Sequence, residues 1–273
     1  MLKIRHISRV NVSSNCSAFT LIELMVVIAI VVLLSGLIFP AVHRAHMVAQ
    51  QVFCANNLRQ LFLANEMYAD DHGYYVAAAS DMFGSNNHRW HGVRAGGGQP
   101  FDASKGPLAP YLNQQTGIQR CPSFKNHKNS SDANAFESSC GGYGYNAIGV
   151  GSQTYQKGYG CEAIKQGIAQ SDLRSSSRTV MFADCAFPQP YGSNPEYLIE
   201  YSFAEPYHWV FEPGVESGYR PDPSIHFRHR GRANVVWCDG HVSSEKMTTM
   251  AEDHFTNNDI GWFGEDNNKL FAP

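Results

Sequence analysis

The sequence predicts an α+β protein in which one long N-terminal helix packs on a small antiparallel β-sheet with extensive loops. Residues 19–42 form a continuous apolar run, which as a helix is long enough to cross a hydrocarbon core of about 30 Å. Apolar residues then recur at helical spacing as far as residue 72. From residue 73 onward, short apolar segments alternate with glycine, proline, asparagine and serine, which is typical of strands joined by loops.

The composition is typical of a folded, loop-rich chain. Charged residues make up 16% and aromatic residues 12% of the 273 residues, a balance that disfavours a disordered or fibrous protein. This length allows one medium domain with extensions. The formal net charge is −3, and it becomes −6 if residues 1–18 are removed, because they contain basic residues and no acid. An acidic chain argues against a nucleic-acid partner.

The apolar run differs from an ordinary secretion signal. It is longer than the apolar core of a signal peptide, and no small-residue cleavage site follows it. Lys3, Arg5 and Arg9 precede it, so the positive-inside rule places its N-terminal side in the cytoplasm. A plain signal anchor accounts for these features but not for Glu23, because a carboxylate at the centre of a membrane helix costs about 2.5–3.5 kcal/mol.

Glu23 therefore needs a positively charged partner. If the chain is cut between Ala18 and Phe19, Phe19 supplies a free amine one helical turn from the glutamate. In a polymer of this chain, the amine of one subunit can meet the Glu23 of its neighbour in a medium of low dielectric constant, where the attraction is much stronger than in water. We expect this pair to set the register of the subunits.

The residues around this junction resemble a known processing site. The residues after Ala18 are Phe19-Thr20-Leu21-Ile22-Glu23-Leu24. This sequence is similar to the cleavage site of type IV prepilins and type II secretion pseudopilins, although Ala18 stands where the family usually has glycine. The resemblance implies that a prepilin peptidase cuts before Phe19 and N-methylates its amine.

The helix continues beyond the apolar run. Pro40 removes a backbone hydrogen bond and predicts a kink or local melting, with a proline tolerated near the membrane exit as the alternative. Gly73 suits a left-handed C-terminal cap, so we expect the helix to end at residue 72. Between them, one amphipathic stripe is suited to packing on a sheet. It consists of Leu58, Leu61, Phe62, Asn65 and Tyr68.

The clearest strand predictions lie in the last hundred residues. They are residues 179–183, residues 233–238 and a segment that begins at His241. Asp239-Gly240 separates the last two segments and predicts a tight hairpin with a type I′ turn.

A second resemblance rests on the same hairpin. His229, nine intervening residues and Asp239-Gly240 match the H-x9-DG signature of a large bacterial family of prepilin-processed proteins. Further segments follow the order usual in that family, namely residues 54–60 (CANNLRQ), 143–146 (YGYN), 177–184 (SRTVMFAD) and 261–267 (GWFGEDN). The resemblance covers nearly the whole chain and implies a pilin-like fold without assigning a chemistry.

The resemblance also implies a domain organisation. Residues 1–18 are a basic leader that is removed, and residues 19–72 are a long helix whose part 19–42 crosses the membrane. Residues 73–273 form an extracytoplasmic globular domain that contains the H-x9-DG segment at 229–240.

The signature residues are expected to have structural roles. A strand rises about 3.3 Å per residue, so His229 and Asp239 are too far apart in sequence for a direct pair. We expect Asp239-Gly240 to turn the hairpin and His229 to bond a neighbouring loop. Metal binding by His226, His229, Asp239 or His241 is a weaker alternative because their spacing fits no zinc pattern, and catalysis is weaker still.

The cysteines suggest an oxidising compartment. Cys16 lies in the predicted leader, and an even number remains in the mature chain, which favours disulfides, with buried free thiols as the alternative. No two cysteines form a CxxC pair. The candidates are Cys54, Cys121, Cys140, Cys161, Cys185 and Cys238.

No cofactor and no enzymatic activity are expected. The sequence lacks the GxSxG, P-loop, HExxH and GxGxxG patterns that would indicate common catalytic sites. Two polar segments, residues 253–259 and 266–268, offer oxygen ligands of the kind that Ca²⁺ prefers, and related pseudopilins hold calcium in a C-terminal loop. Their spacing matches no EF-hand, so polar loops are the preferred interpretation.

We therefore predict a structural subunit of a type II secretion pseudopilus or a type IV pilus-like fibre. Its partners would be prepilin peptidase, other pilin or pseudopilin subunits and the assembly platform of the inner membrane. It would be a single-pass protein of the inner membrane, with its N-terminus cytoplasmic and its domain periplasmic. The alternative is a membrane-tethered binding module for glycans or surfaces, because aromatic segments at 90–92 and 207–209 look exposed.

Overall fold

The structure is a computed structural model that describes residues 20–112, 117–124, 137–188 and 198–273. Only the backbone is described at positions 253 and 254. The predicted leader, with Cys16, and the Ala18–Phe19 junction lie outside the described residues. The chain divides into two compact units, Met1–His46 and Met47–Pro273.

The architecture confirms the predicted α+β class, with one long helix and several small antiparallel sheets. The helices are α1 (Leu21–His72), α2 (Thr154–Lys157) and α3 (Asp253–Thr256). The strands are β1 (His88–Arg89), β2 (Gly92–Val93), β3 (Tyr143–Tyr145), β4 (Val180–Asp184), β5 (Phe187–Pro188), β6 (Leu198–Ile199), β7 (Ile225–His226), β8 (Arg232–Trp237), β9 (Val242–Lys246), β10 (Thr249–Met250) and β11 (Ile260–Trp262). Short 3-10 turns lie at Ala103–Lys105, Ala109–Tyr111, Gln170–Asp172 and Asn268–Leu270.

Helix α1 is continuous through Pro40, so the local melting predicted there is not found. It ends as expected at His72, because Gly73 adopts a φ of +81° and donates its N–H to the Ala69 carbonyl at 2.7 Å. A left-handed residue at this position satisfies one of the carbonyl groups that the helix end leaves unpaired.

Within the second unit, one face of α1 enters the core. Its buried residues recur at helical spacing and are Cys54, Asn57, Leu58, Leu61, Ala64, Asn65 and Ala69. The predicted stripe lies on this face, with Phe62 and Tyr68 partly buried at its margin. Asn57 and Asn65 donate from Nδ2 to the hydroxyl oxygens of Tyr143 and Tyr145 at 2.9 and 3.1 Å, so strand β3 is bonded directly to the helix.

The main sheet has four antiparallel strands in the order β3-β4-β8-β9. The predicted strands at 179–183 and 233–238 correspond to β4 and β8, which pair centrally, and the segment after His241 forms the edge strand β9. A second sheet has the order β10-β11-β7, and β1-β2 and β5-β6 form two short hairpins.

The hairpin of β8 and β9 is present, but its predicted type I′ turn is wrong. Only Gly240 of the Asp239-Gly240 pair has a positive φ, +84°, and a type I′ turn needs positive φ at both central residues. The loop is wider than two residues, because the Trp237 N–H donates to the His241 carbonyl at 3.0 Å. A Cβ at Gly240 would lie 2.5 Å from the Phe62 ring, so glycine also allows α1 to approach the loop.

The aromatic segments that looked exposed in the sequence are largely buried. Trp90 and Tyr207 are fully buried, and the Trp90 indole N–H donates to the Ser202 carbonyl at 2.7 Å. His91 is also buried, whereas Trp209 is half-buried. The expectation of an exposed adhesive surface at residues 90–92 is therefore wrong, because the Trp90 and His91 rings, between β1 and β2, lie in the core.

Candidate functional site

The N-terminal part of α1 has the surface of a membrane helix. By length and composition α1 can cross a membrane, and its most apolar window buries no residue within the chain. Leu21 and Phe39 expose 73% and 78% of their surface, and the large apolar residues between them are similarly uncovered. A continuous apolar surface of this size is characteristic of contact with lipid or with other chains. The segment therefore has the length and the surface of a membrane anchor.

Glu23 lies in the first turn of this helix and forms a reciprocal cap with Thr20. Thr20 donates its N–H and its hydroxyl to Glu23 Oε2, each at 2.8 Å, and the Glu23 N–H donates to Thr20 Oγ1 at 3.2 Å. This capping box satisfies backbone donors at the helix start. From the sequence, Glu23 was paired only with the amine of another subunit. Thr20 followed by glutamate three residues later is itself a capping signal.

His229 lies at a tight turn between β7 and β8. The N–H of His229 donates to the Arg232 carbonyl at 2.9 Å, and the Arg232 N–H donates back at 3.2 Å. Arg230 and Gly231, the two residues between them, have φ values of +60° and +73°. Positive φ at both positions is the signature of a type I′ turn, so the turn type predicted at Asp239-Gly240 is found here.

This turn directs His229 into the protein, away from Asp239. Its Nε2 lies 3.2 Å from Asp184 Oδ2 and 3.6 Å from Cys121 Sγ. Burial disfavours a charge on the ring, but the hydrogen bonds to Asp184 and Cys121 outweigh it and raise the pKa of His229 to about 9. The histidine of the H-x9-DG signature thus contacts the end of β4.

Arg228 and Asp184 form a buried ion pair beside this histidine. Arg228 Nη2 lies 2.7 Å from Asp184 Oδ1, and both side chains are at most 3% exposed. The guanidinium also donates to the carbonyls of Gly142 and Cys185 at 2.6 and 3.1 Å. Asp184 Oδ2 in turn accepts the N–H of Asn234 at 2.7 Å. The pair therefore links β4, β8 and the loop before β3.

Cys54 and Cys121 complete the surroundings of His229. Their sulfur atoms and a ring nitrogen of His229 all lie within 4.8 Å of one another, and all three residues are buried. We call these residues the Cys–His cluster. A hydrogen bond to Cys121, together with burial, raises the pKa of Cys54. Burial opposes ionisation of Cys121, but the bond with Cys54 and the charge of Arg228 hold its pKa below the usual range.

Asp239 and Gly240 lie apart from the Cys–His cluster. Asp239 Oδ1 is 2.6 Å from His241 Nδ1 at the exposed end of the β8–β9 hairpin, and Gly240 packs on Phe62. Of the metal ligands considered from sequence, His229 alone belongs to the cluster. His226 instead lies 3.1 Å from Arg228 Nη1 through its Nδ1. The histidine and the Asp-Gly pair of the H-x9-DG signature therefore lie at two separate sites in the fold.

The cysteines outside the cluster are Cys140, Cys161, Cys185 and Cys238. All six cysteines after the leader are free thiols in the described part of the chain, and Cys161 alone among them is exposed. Their pairing as disulfides stays a prediction.

In the second segment considered for calcium, residues 266–268, the side chains bond other parts of the protein. Asp266 pairs with Arg220, and Asn268 is buried and bonds both the N–H and the carbonyl of His208. The Asp253 side chain lies outside the description. Calcium binding stays a prediction.

An apolar pocket of about 290 Å³ was missed by sequence reasoning. Its walls include Tyr159, Tyr201, Phe203 and Trp209, and Glu205 provides a buried carboxylate. Burial raises the pKa of Glu205 to about 7, although the Tyr201 hydroxyl donates to Oε1 at 2.8 Å and acts in the opposite direction. Only the aromatic segment at 207–209 pointed to this region.

Comparison with known families agrees with the N-terminal geometry. Residues 13–39 match the family model described as the prokaryotic N-terminal methylation motif. The chain therefore carries an N-terminus of the prepilin cleavage and methylation type, which confirms the resemblance predicted around Ala18, Phe19 and Glu23. No curated protein and no solved structure matches the chain. The H-x9-DG resemblance stays a prediction.

Proposed function

We propose that this protein is a structural subunit of a type II secretion pseudopilus or a type IV pilus-like fibre. Prepilin peptidase cuts between Ala18 and Phe19 and N-methylates Phe19, and the mature chain joins the fibre through α1. The observation that carries the proposal is the methylation motif at 13–39, which continues into a helix with an uncovered apolar surface.

The apolar surface of α1 suits both environments of such a subunit, the membrane and the fibre. Lipid covers the apolar side chains of α1 before assembly, and the helices of neighbouring subunits cover them in the fibre. Glu23 is costly in lipid, and the methylated amine of a neighbouring Phe19 would neutralise it in the fibre. Until then, Thr20 supplies its hydrogen bonds.

The charge distribution supports an orientation in the inner membrane. Lys3, Arg5 and Arg9 precede the apolar run and favour retention of the N-terminus in the cytoplasm. The second unit, Met47–Pro273, is then periplasmic. Its proposed partners are prepilin peptidase, other pilin-like subunits and the assembly platform of the membrane.

Replacing Glu23 by glutamine tests the assembly step. Glu23→Gln removes the charge but keeps an oxygen that can accept from Thr20, so we expect normal cleavage and membrane insertion but at least about a tenfold loss of polymer, equivalent to 1.4 kcal/mol per contact. Cross-linking in cells reports the polymer as a ladder of multiples of the chain. Glu162→Gln, on an exposed residue paired with Lys165, is the matched control and should leave the ladder unchanged.

Two results would contradict the assembly role. One is a full ladder from Glu23→Gln, which would remove the charge-pairing argument. The other is a wild-type chain that never cross-links to itself or to another pilin-like subunit, which would favour a monomeric anchored protein.

A membrane-tethered binding module is the second candidate, favoured by the pocket at Glu205. Its volume of about 290 Å³ suits a single small ring, and its aromatic walls with one carboxylate resemble the chemistry that stacks on and bonds a sugar. A glycan array probed with the full chain in detergent tests this candidate. Binding that is lost in Trp209→Ala would support it, and the absence of binding would count against it.

A further inference from the structure

The Cys–His cluster brings together three side chains that are remote in the sequence. Cys54 comes from α1, Cys121 from the loop before β3, and His229 from the β7–β8 turn. Their sulfur and nitrogen atoms converge within 4.8 Å, and among the described residues they are the one set of three histidine, cysteine or acidic side chains to do so. Thiolate and imidazole together form the ligand set that soft divalent ions such as zinc prefer.

The dimensions of the cluster fit a tetrahedral metal ion. Zinc binds cysteine sulfur at about 2.3 Å and histidine nitrogen at about 2.0–2.1 Å, which places the sulfur and nitrogen of one tetrahedron about 3.6 Å apart. The observed distance from Cys121 Sγ to His229 Nε2 is 3.6 Å. Two sulfur ligands of zinc lie about 3.8 Å apart, so the remaining separations, within 4.8 Å, need to close by about 1 Å at most.

The neighbouring charges also suit such an ion. Two thiolates neutralise a divalent cation, while Arg228 and Asp184 neutralise each other, so the bound site carries no net charge into the core. Arg228 Nε donates to Cys121 Sγ at 3.3 Å, which stabilises a thiolate ligand. Asp184 Oδ2 lies 3.2 Å from His229 Nε2, the same nitrogen that would bind the ion, which is the spacing of two ligands of one tetrahedron.

We propose that Cys54, Cys121 and His229 bind a structural zinc ion, which fastens α1 to the loop before β3 and to the β7–β8 turn. The Asp184 carboxylate is placed to be the fourth ligand that a structural zinc site requires. A disulfide between Cys54 and Cys121 is the competing arrangement of the two sulfur atoms, and it would leave the His229 ring bonded to Asp184. The proposal concerns the second unit alone and does not depend on fibre assembly.

Metal analysis of the full chain tests the site. The protein is extracted from membranes in detergent, without a histidine tag or chelator, and its zinc is measured by mass spectrometry. We expect about one zinc per chain. Cys54→Ser, Cys121→Ser and His229→Gln should each bind zinc at least about 100-fold more weakly, since even the loss of an outer contact costs 10–100-fold. Cys161→Ser and Cys238→Ser, which lie outside the cluster, should retain the metal.

A second measurement on the unaltered chain covers the case in which a cluster variant fails to fold. Titration of the metal-free chain with Co²⁺ should give thiolate-to-cobalt charge-transfer absorption and the visible bands of a tetrahedral ion. The proposal is overturned if these bands are absent, if the variants keep their zinc, or if peptide mapping under non-reducing conditions finds Cys54 and Cys121 joined as a disulfide.

Discussion

Replacing Asp184 by asparagine is expected to lower the free energy of unfolding by about 3–5 kcal/mol, because it leaves the buried Arg228 without a counter-charge. Arg228 is 3% exposed and cannot turn its guanidinium to water without disrupting its bonds to Gly142 and Cys185. Asn234 and His229 also lose an ionised acceptor. The measurement is denaturant unfolding of the full chain in detergent micelles.

The matched control is Asp266→Asn, which removes the partner of Arg220 at the surface. Asp266 is 53% exposed, so its loss should cost less than about 1 kcal/mol. If Asp184→Asn lowered the free energy of unfolding by no more than this control, the buried ion pair would contribute no more to stability than a surface pair.

Replacing Glu205 by glutamine is expected to stabilise the protein by about 3 kcal/mol at pH 8 and by less than about 1 kcal/mol at pH 5. Burial raises the pKa of Glu205 to about 7 from an unperturbed 4.5, so the native state retains a proton that the unfolded state has lost. The contribution of Glu205 to wild-type stability is therefore lost as the pH rises from about 4.5 to about 7. Glutamine keeps an acceptor for Tyr201 without a charge.

Unfolding curves at several pH values measure this effect. Glu212→Gln, on an exposed residue, should follow the wild-type pH dependence. A Glu205→Gln variant that gains no more stability at pH 8 than at pH 5 would show that Glu205 is ionised at little cost and would also weaken the case for a closed pocket.

Helix α1 could be predicted because its signals are local. An unbroken apolar run, a helical repeat and Gly73 each act over a few residues, and the structure has the helix at Leu21–His72. Strands β4 and β8 were likewise visible as apolar segments bounded by turn residues. The buried tryptophan at position 90 was not visible, because its partner Ser202 is more than a hundred residues away.

The turn types on either side of β8 could not be predicted from the sequence. Asp239-Gly240 has the composition of a type I′ turn, but the contact of Gly240 with Phe62 and the wider loop determine the geometry. Arg230-Gly231 adopts that turn with an arginine at positive φ, which local preference alone would not favour. Tertiary contacts therefore override the propensity of the two residues.

The Cys–His cluster could be predicted only in part. Cys54 and His229 lie in segments that the sequence singled out, Asp184 ends another, and Cys121 was noted only as a candidate disulfide cysteine. Their spacing along the chain fits no metal pattern, because each ligand comes from a different element. The convergence depends on the pairing of β4 with β8 and on the turn that directs His229 inward.

The mass of the N-terminal peptide shows whether the chain is processed as a prepilin. The full chain is purified from membranes and its N-terminal peptide is sequenced by mass spectrometry. We expect a peptide that begins at Phe19 and carries one methyl group on its amine. A chain that retains residues 1–18, or one that is cut after Val42, would contradict this expectation.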